Sequence, residues 1–177
     1  YVVRVNRTPN DPRYSELWGL SRIDADQAWN ITTGSNDVIV AVSDSGVDYN
    51  HPDLAANMWE NTGELPGNGI DDDGNGYVDD IYGYDWANND GDPNDDNSHG
   101  THCAGTIGAE ANNGHPHVGV AWNVKLMACK FLSSDGWGYT SGAITCVDWA
   151  VANGAKVLSN SLARRISVRP SYVKNFS

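Results

Sequence analysis

Two short segments hold the residue types that acid–base chemistry needs. In Val40-Ala41-Val42-Ser43-Asp44-Ser45-Gly46 an apolar run delivers a carboxylate into a glycine turn. An aspartate placed at such a strand end can be a structural cap, a ligand or a catalytic group, and this segment alone leaves all three open. In Asn97-Ser98-His99-Gly100-Thr101-His102-Cys103-Ala104-Gly105-Thr106 a histidine opens a helical stretch whose small residues permit close packing. An imidazole at an exposed first turn suits a general base when a buried carboxylate fixes its tautomer and stabilises the imidazolium. The rival chemistry is zinc, with His99, His102 and Cys103 as ligands. It lacks a further His/Cys pair at useful spacing to complete a tetrahedral set.

A third feature is acidic. Fifteen of the 23 acidic residues fall between Asp44 and Asp96, interleaved with Gly and Asn. That arrangement reads as cation-binding loops rather than a nucleic-acid surface, and the net charge of −12 points the same way. Asp71-Asp72-Asp73-Gly74-Asn75-Gly76-Tyr77-Val78-Asp79-Asp80 matches the start of an EF-hand-type calcium loop, but Tyr82 stands where the bidentate Glu belongs. Asp71, Asp73, Asn75 and Asp79 are therefore candidate calcium ligands, with a tight Asn/Gly turn as the alternative. Three cysteines, Cys103, Cys129 and Cys146, allow one bridge at most. The triplets beginning at Asn6, Asn30 and Asn175 would permit glycosylation in a secreted eukaryotic protein.

The elements that must position these residues alternate in type. Tyr1 to Asn10 alternates like a strand before Pro9-Asn10-Asp11-Pro12 breaks the pattern. A short helix is expected over 21–29, and a buried parallel strand over Asp37 to Ser43 from its continuous apolar run. After the acidic excursion come a helix from His99 to about Ala109, a strand from Val124 to Phe131, a helix from Thr140 to Asn153 capped by Gly154, and a strand from Lys156 to Asn160. Strands alternating with helices imply an α/β fold with a mainly parallel sheet, whose chemistry gathers at the carboxyl ends of the strands. Asp44 lies at such an end. No apolar run is long enough for a membrane span.

Taken together, Asp44-Ser45-Gly46-Val47-Asp48 followed by His99-Gly100-Thr101-His102-Cys103-Ala104-Gly105-Thr106 resembles the subtilase family, whose catalytic triad runs Asp, His, Ser. The resemblance continues through Gly119 to Leu126, Lys130 to Gly138 and Trp149 to Leu162. It implies the N-terminal part of a three-layer subtilisin-like fold, with Asp44 as the orienting carboxylate and His99 as the general base. His102 is implied to be structural, and Cys103 to be the buried thiol of the thermitase-like and proteinase K-like branches. The resemblance further implies that Gly136, Trp137 and Gly138 form one edge that pairs with an extended peptide substrate, and that Ser161 and Leu162 begin the other. Asp85, Asn88, Asp90, Asp92 and Asn94 resemble the calcium loop that precedes the catalytic histidine, and Asp53 with Asn113 resembles a further calcium site, although His115-Pro116-His117 interrupts its usual loop.

On this reading residues 1–11 are the tail of a propeptide and its linker, 12–162 are part of a peptidase domain, and 163–177 are a tail foreign to the family. The expected protein is a secreted, calcium-stabilised serine endopeptidase whose partners are peptide substrates and its own propeptide, with no nucleic acid. Neither the oxyanion asparagine nor a Gly-Thr-Ser-x-Ala segment occurs, so no serine is assigned as nucleophile and the chain as written is expected to be inactive. The alternative is a non-catalytic calcium- or peptide-binding fragment, or a truncation product that does not fold.

Overall fold

A computed structural model describes residues 7–161. The reading of residues 1–6 as propeptide, the foreign tail and Leu162 lie outside the described residues. Four strands form one all-parallel sheet in the order β2-β3-β1-β4, where β1 is Gly34–Asp44, β2 Gly83–Asp85, β3 Asn123–Lys130 and β4 Val157–Asn160. The helices are α1 (Trp18–Arg22), α2 (Ala25–Trp29), α3 (His99–Gly108) and α4 (Thr140–Ala152).

The helices connect the strands and cover both faces of the sheet. The chain leaves β1 through the acidic excursion to the edge strand β2, steps back through α3 to β3, and passes through α4 to β4 on β1's other side. Both helical steps run the same way across the sheet, so two right-handed crossovers would put α3 and α4 on one face. The two helices lie on opposite faces, and the two crossovers therefore have opposite hands, a departure from the usual right-handed rule. The core bears this out. Val40, Val42, Val124, Leu126 and Ala128 pack with Ala104 of α3, whereas the alternate residues Ala41, Met127 and Cys129 pack with Cys146, Trp149 and Ala150 of α4. Both faces are covered, which is why β1 and β3 read as continuous apolar runs rather than alternating ones. The result is a three-layer α/β arrangement of the kind expected.

Local departures have local causes. Asp24 adopts a left-handed backbone (φ 54°), so the single helix expected over 21–29 is two helices joined at that residue. Arg7 to Asn10 form no strand. Strand β2 was not anticipated, because its three residues lie inside the acidic excursion. It fits only because Gly83 has no Cβ, which would collide with the Ala128 carbonyl across the ladder. The end of α4 is as expected. Gly154 (φ 87°) follows the last turn, its N–H donates to Val151 O at 3.1 Å, and the Ala155 N–H donates to Ala150 O at 2.9 Å, a Schellman closure.

The acidic excursion is not loose. Tyr77, Tyr84, Trp86 and Trp149 meet edge to face, with Trp59 also against Trp149. Fully buried Asp80 accepts from Asn61 Nδ2, Asn75 Nδ2 and the Trp149 indole N–H, which ties the excursion to α4. Burial pushes the Asp80 carboxyl above the usual range, against the pull of those three donors. Cys103, Cys129 and Cys146 are unbridged, and burial beside Cys146 pushes the Cys129 thiol well up.

Candidate active site

Asp44 is the last residue of β1 and is 0% exposed, while the His99 side chain, at the first position of α3, is 55% exposed. The two meet with Nδ1 of His99 at 2.7 Å from Oδ1 of Asp44. An ionised carboxylate only accepts, so Nδ1 must carry the proton and Nε2 is left as the acceptor in the neutral ring. The same Asp44 oxygen accepts the Ser45 N–H at 2.7 Å, and its other oxygen has no partner among the described residues.

The close approach of α3 to the end of β1 is built by small residues. A Cβ on Gly100 would collide with the Gly46 carbonyl, and one on Gly46 (φ 110°) would lie 2.6 Å from Pro93 O. Ser45 Oγ accepts the Gly100 N–H at 3.0 Å and donates to Asp95 Oδ1 at 2.9 Å. Asp95 also accepts from the Asn97, Ser98 and Thr101 N–H groups and the Thr101 hydroxyl, and so organises the start of α3. Burial works to raise the Asp95 carboxyl, but these hydrogen bonds outweigh it and hold it below the usual range.

His102 stands apart from His99. It lines a cavity of about 640 Å³ on another side of α3, with Asp48, His51, Asp53 and His117. The carboxylate, imidazole and thiol that do converge within 4.8 Å are Asp44, His99 and Cys103, so the set His99, His102 and Cys103 is not assembled. Cys103 is half-buried rather than buried, with Sγ 3.9 Å from His99 Nδ1 and 3.7 Å from Ser161 Oγ, and burial raises its thiol. Ser161 lies just past β4, its N–H directed at Ser43 O at 3.4 Å. Gly136, Trp137 and Gly138 belong to no strand. They follow a turn closed by the Gly136 N–H on Ser133 O and the Ser133 N–H on Trp137 O, both at 2.8 Å, with Trp137 58% exposed. Trp86, Phe131, Trp137, Tyr139 and the first turn of α4 enclose an adjacent hollow of about 580 Å³.

The candidate calcium ligands divide. Asp71, Asp73 and Glu64 each offer a carboxylate oxygen within 4.8 Å of the others. Backbone N–H groups bind them from outside: Gly74, Asn75 and Gly76 donate to Asp71, and Asp72, Asp73 and Asp79 donate to Glu64. Glu64 was missed from the sequence because it precedes the EF-hand-like run by seven residues and only the fold brings it back. Asp79 turns away and accepts from the Asn68 and Gly69 N–H groups, while Asn75 donates to Asp73 and Asp80. In the loop before His99, Asp85 accepts from Ala87, Asn88 and the Asn88 amide, Asp90 from the Asp92 N–H, and Asp92 from Tyr49 OH and the Asn94 N–H. No three of that loop's carboxylates meet within 4.8 Å. Asp53 and Asn113 do meet, with Asn113 Nδ2 donating to Asp53 Oδ1 at 3.2 Å and His117 facing the other oxygen.

The structure is thus a parallel α/β sheet with a buried aspartate at one strand end in hydrogen-bond contact with a half-exposed histidine on the following helix. Comparison with known proteins specifies the family. The Subtilase family model matches residues 35–175, and the chain belongs to that family. It is 41% identical over 157 residues to subtilisin-like protease 1 of Plasmodium vivax, covering 87% of this chain and 25% of that protein. It is 37% identical over 156 residues to thermitase of Thermoactinomyces vulgaris, covering 88% and 48%. A thermophilic serine proteinase of a Bacillus species is 36% identical over 163 residues, covering 92% and 35%. The chain thus spans a quarter to a half of the length of these relatives.

Proposed function

We propose that this chain carries the acid–base part of a serine endopeptidase, with His99 as general base and Asp44 as the carboxylate that orients it. The 2.7 Å contact between His99 Nδ1 and buried Asp44 carries this reading. In the reaction a serine hydroxyl attacks the scissile carbonyl, His99 Nε2 takes its proton and returns it to the leaving amine, and Asp44 holds the imidazole in the required tautomer. No residue of this chain is assigned as that serine or as the oxyanion donor, and the chain as written is inactive on this reading. The turn at Gly136 to Gly138 and Ser161 are the edges between which an extended peptide lies, a protein substrate or the protein's own propeptide. We place the protein outside the cell, in keeping with its three glycosylation triplets.

Calcium is the implied cation. Its hard oxygen chemistry fits Glu64, Asp71 and Asp73, which form the candidate site the fold assembles best. There it would neutralise converging carboxylates and fix the excursion, with no part in the bond-breaking step. Asp85, Asn88, Asp90, Asp92 and Asn94, and the pair Asp53 and Asn113, are candidate second sites.

The test is hydrolysis of a fluorogenic peptide by the full-length gene product. His99→Ala should lower turnover on the order of 10⁶-fold, the magnitude known for subtilisin's histidine, and Asp44→Asn about 10⁴-fold, as in another Ser-His-Asp protease. Activity retained in His99→Ala removes the assignment.

A further inference from the structure

We propose that Lys130 and Asp96 form a positioning pair that sets the approach of His99 to Asp44. The proposal rests on the reading of Asp44 and His99 as the acid–base pair. Lys130 ends β3, directly opposite Asp44 in the strand register, and its side chain is 1% exposed. Its ammonium donates to the Ser45 carbonyl at 2.8 Å and to Asp96 Oδ1 at 2.5 Å. Ser45 follows Asp44 and gives it an N–H, and Asp96 stands three residues before His99. One buried charge therefore ties the chain just after the carboxylate to the chain just before the imidazole.

Fold stability alone does not account for a lysine here. Burying an ammonium is costly, and replacing a buried ion pair by apolar side chains of similar volume is often neutral or stabilising. A methionine would fill the same space. What it could not do is hold Ser45 and Asp96 together across the gap between β1 and the start of α3. The other anchor of that region, Asp95, acts within the α3 turn and on Ser45 Oγ, and it makes no bond to β3. Asp85 lies beside Lys130 in the register on the β2 side; burial pushes its carboxyl above the usual range, and the Asn88 hydrogen bonds, with the Lys130 charge after them, only partly offset that push. The positive end of the pair is thus flanked by Asp44, Asp85 and Asp96, and only Asp96 bonds to it directly.

The experiment compares Lys130→Met, Lys130→Arg and Asp96→Asn in the full chain, reading the low-field proton resonance of His99 Nδ1 by NMR alongside thermal melting. Loss of that resonance in Lys130→Met and Asp96→Asn with the fold retained, and its recovery in Lys130→Arg, is the expected result. In the active gene product the same two variants should lower kcat roughly 10²-fold with KM unchanged, the cost of a misplacement of about 1 Å. A folded Lys130→Met with an unchanged Nδ1 resonance overturns the proposal. Should Lys130→Met fail to fold, Asp96→Asn decides, since Asp96 is 44% exposed and its amide keeps the shape. The resonance is independent of turnover, so absence of hydrolysis would remove the protease reading while leaving this result in force.

Discussion

Gly100, in the first turn of α3, lies against the Gly46 carbonyl more closely than any residue with a Cβ could. Its missing Cβ is what lets α3 touch the Gly46 carbonyl, and with it lets His99 reach Asp44. Gly100→Ala should therefore destabilise the protein by about 2 kcal/mol, typical of forced overpacking, and should also weaken the His99 to Asp44 contact. A urea midpoint unchanged from wild type would show that α3 can shift without cost. The two ends of that contact were legible in the sequence, because a carboxylate after an apolar run and a histidine before a small-residue helix are local patterns. Glu64 and Lys130 were not. Glu64 joins Asp71 and Asp73 through a loop closure, and Lys130 looks like an ordinary strand-end cation until the register places it opposite Asp44.

At the scale of elements, α3 begins where Asp95 gathers four hydrogen bonds from the turn of Asn97 to Thr101 and a fifth from Ser45. The negative charge also faces the positive end of the helix dipole. Because the folded state holds this carboxyl below its ordinary value, its contribution is present above the unfolded carboxylate range and is lost as pH falls through the folded value. Asp95→Asn should cost about 2 kcal/mol at neutral pH, and the gap to wild type should close in urea melts taken progressively below about pH 4. A gap independent of pH would mean that shape, not charge, holds the turn. Elements of this kind were readable where an apolar run or a capping glycine is continuous in sequence, as in β1, β3 and α4. They were not where the decisive contact is distant, as in β2, whose three residues pair only because Ala128 lies beside Gly83.

For the whole molecule the governing fact is a net charge of −12 concentrated on one excursion that the fold presses against α4. Converging carboxylates repel, and the N–H groups donated to Glu64 and Asp71 offset this from the outside only. A divalent cation between Glu64, Asp71 and Asp73 would supply the inner compensation, and because those residues are apart in the unfolded chain its binding energy would become folding energy. Calcium at 100 times its Kd should stabilise the protein by about 2.7 kcal/mol and raise Tm accordingly, while a chelator should reverse the shift. Glu64→Gln with Asp73→Asn should abolish that response, whereas Asp92→Asn, whose carboxylate is engaged by Tyr49, should leave most of it. The Tyr49 phenol, pushed up to about 12 by burial and by Asp92, stays protonated throughout such melts at neutral pH. A calcium-dependent Tm that survives Glu64→Gln and Asp73→Asn but vanishes with Asp92→Asn would move the stabilising ion to the loop before His99, and with it the element whose order depends on calcium.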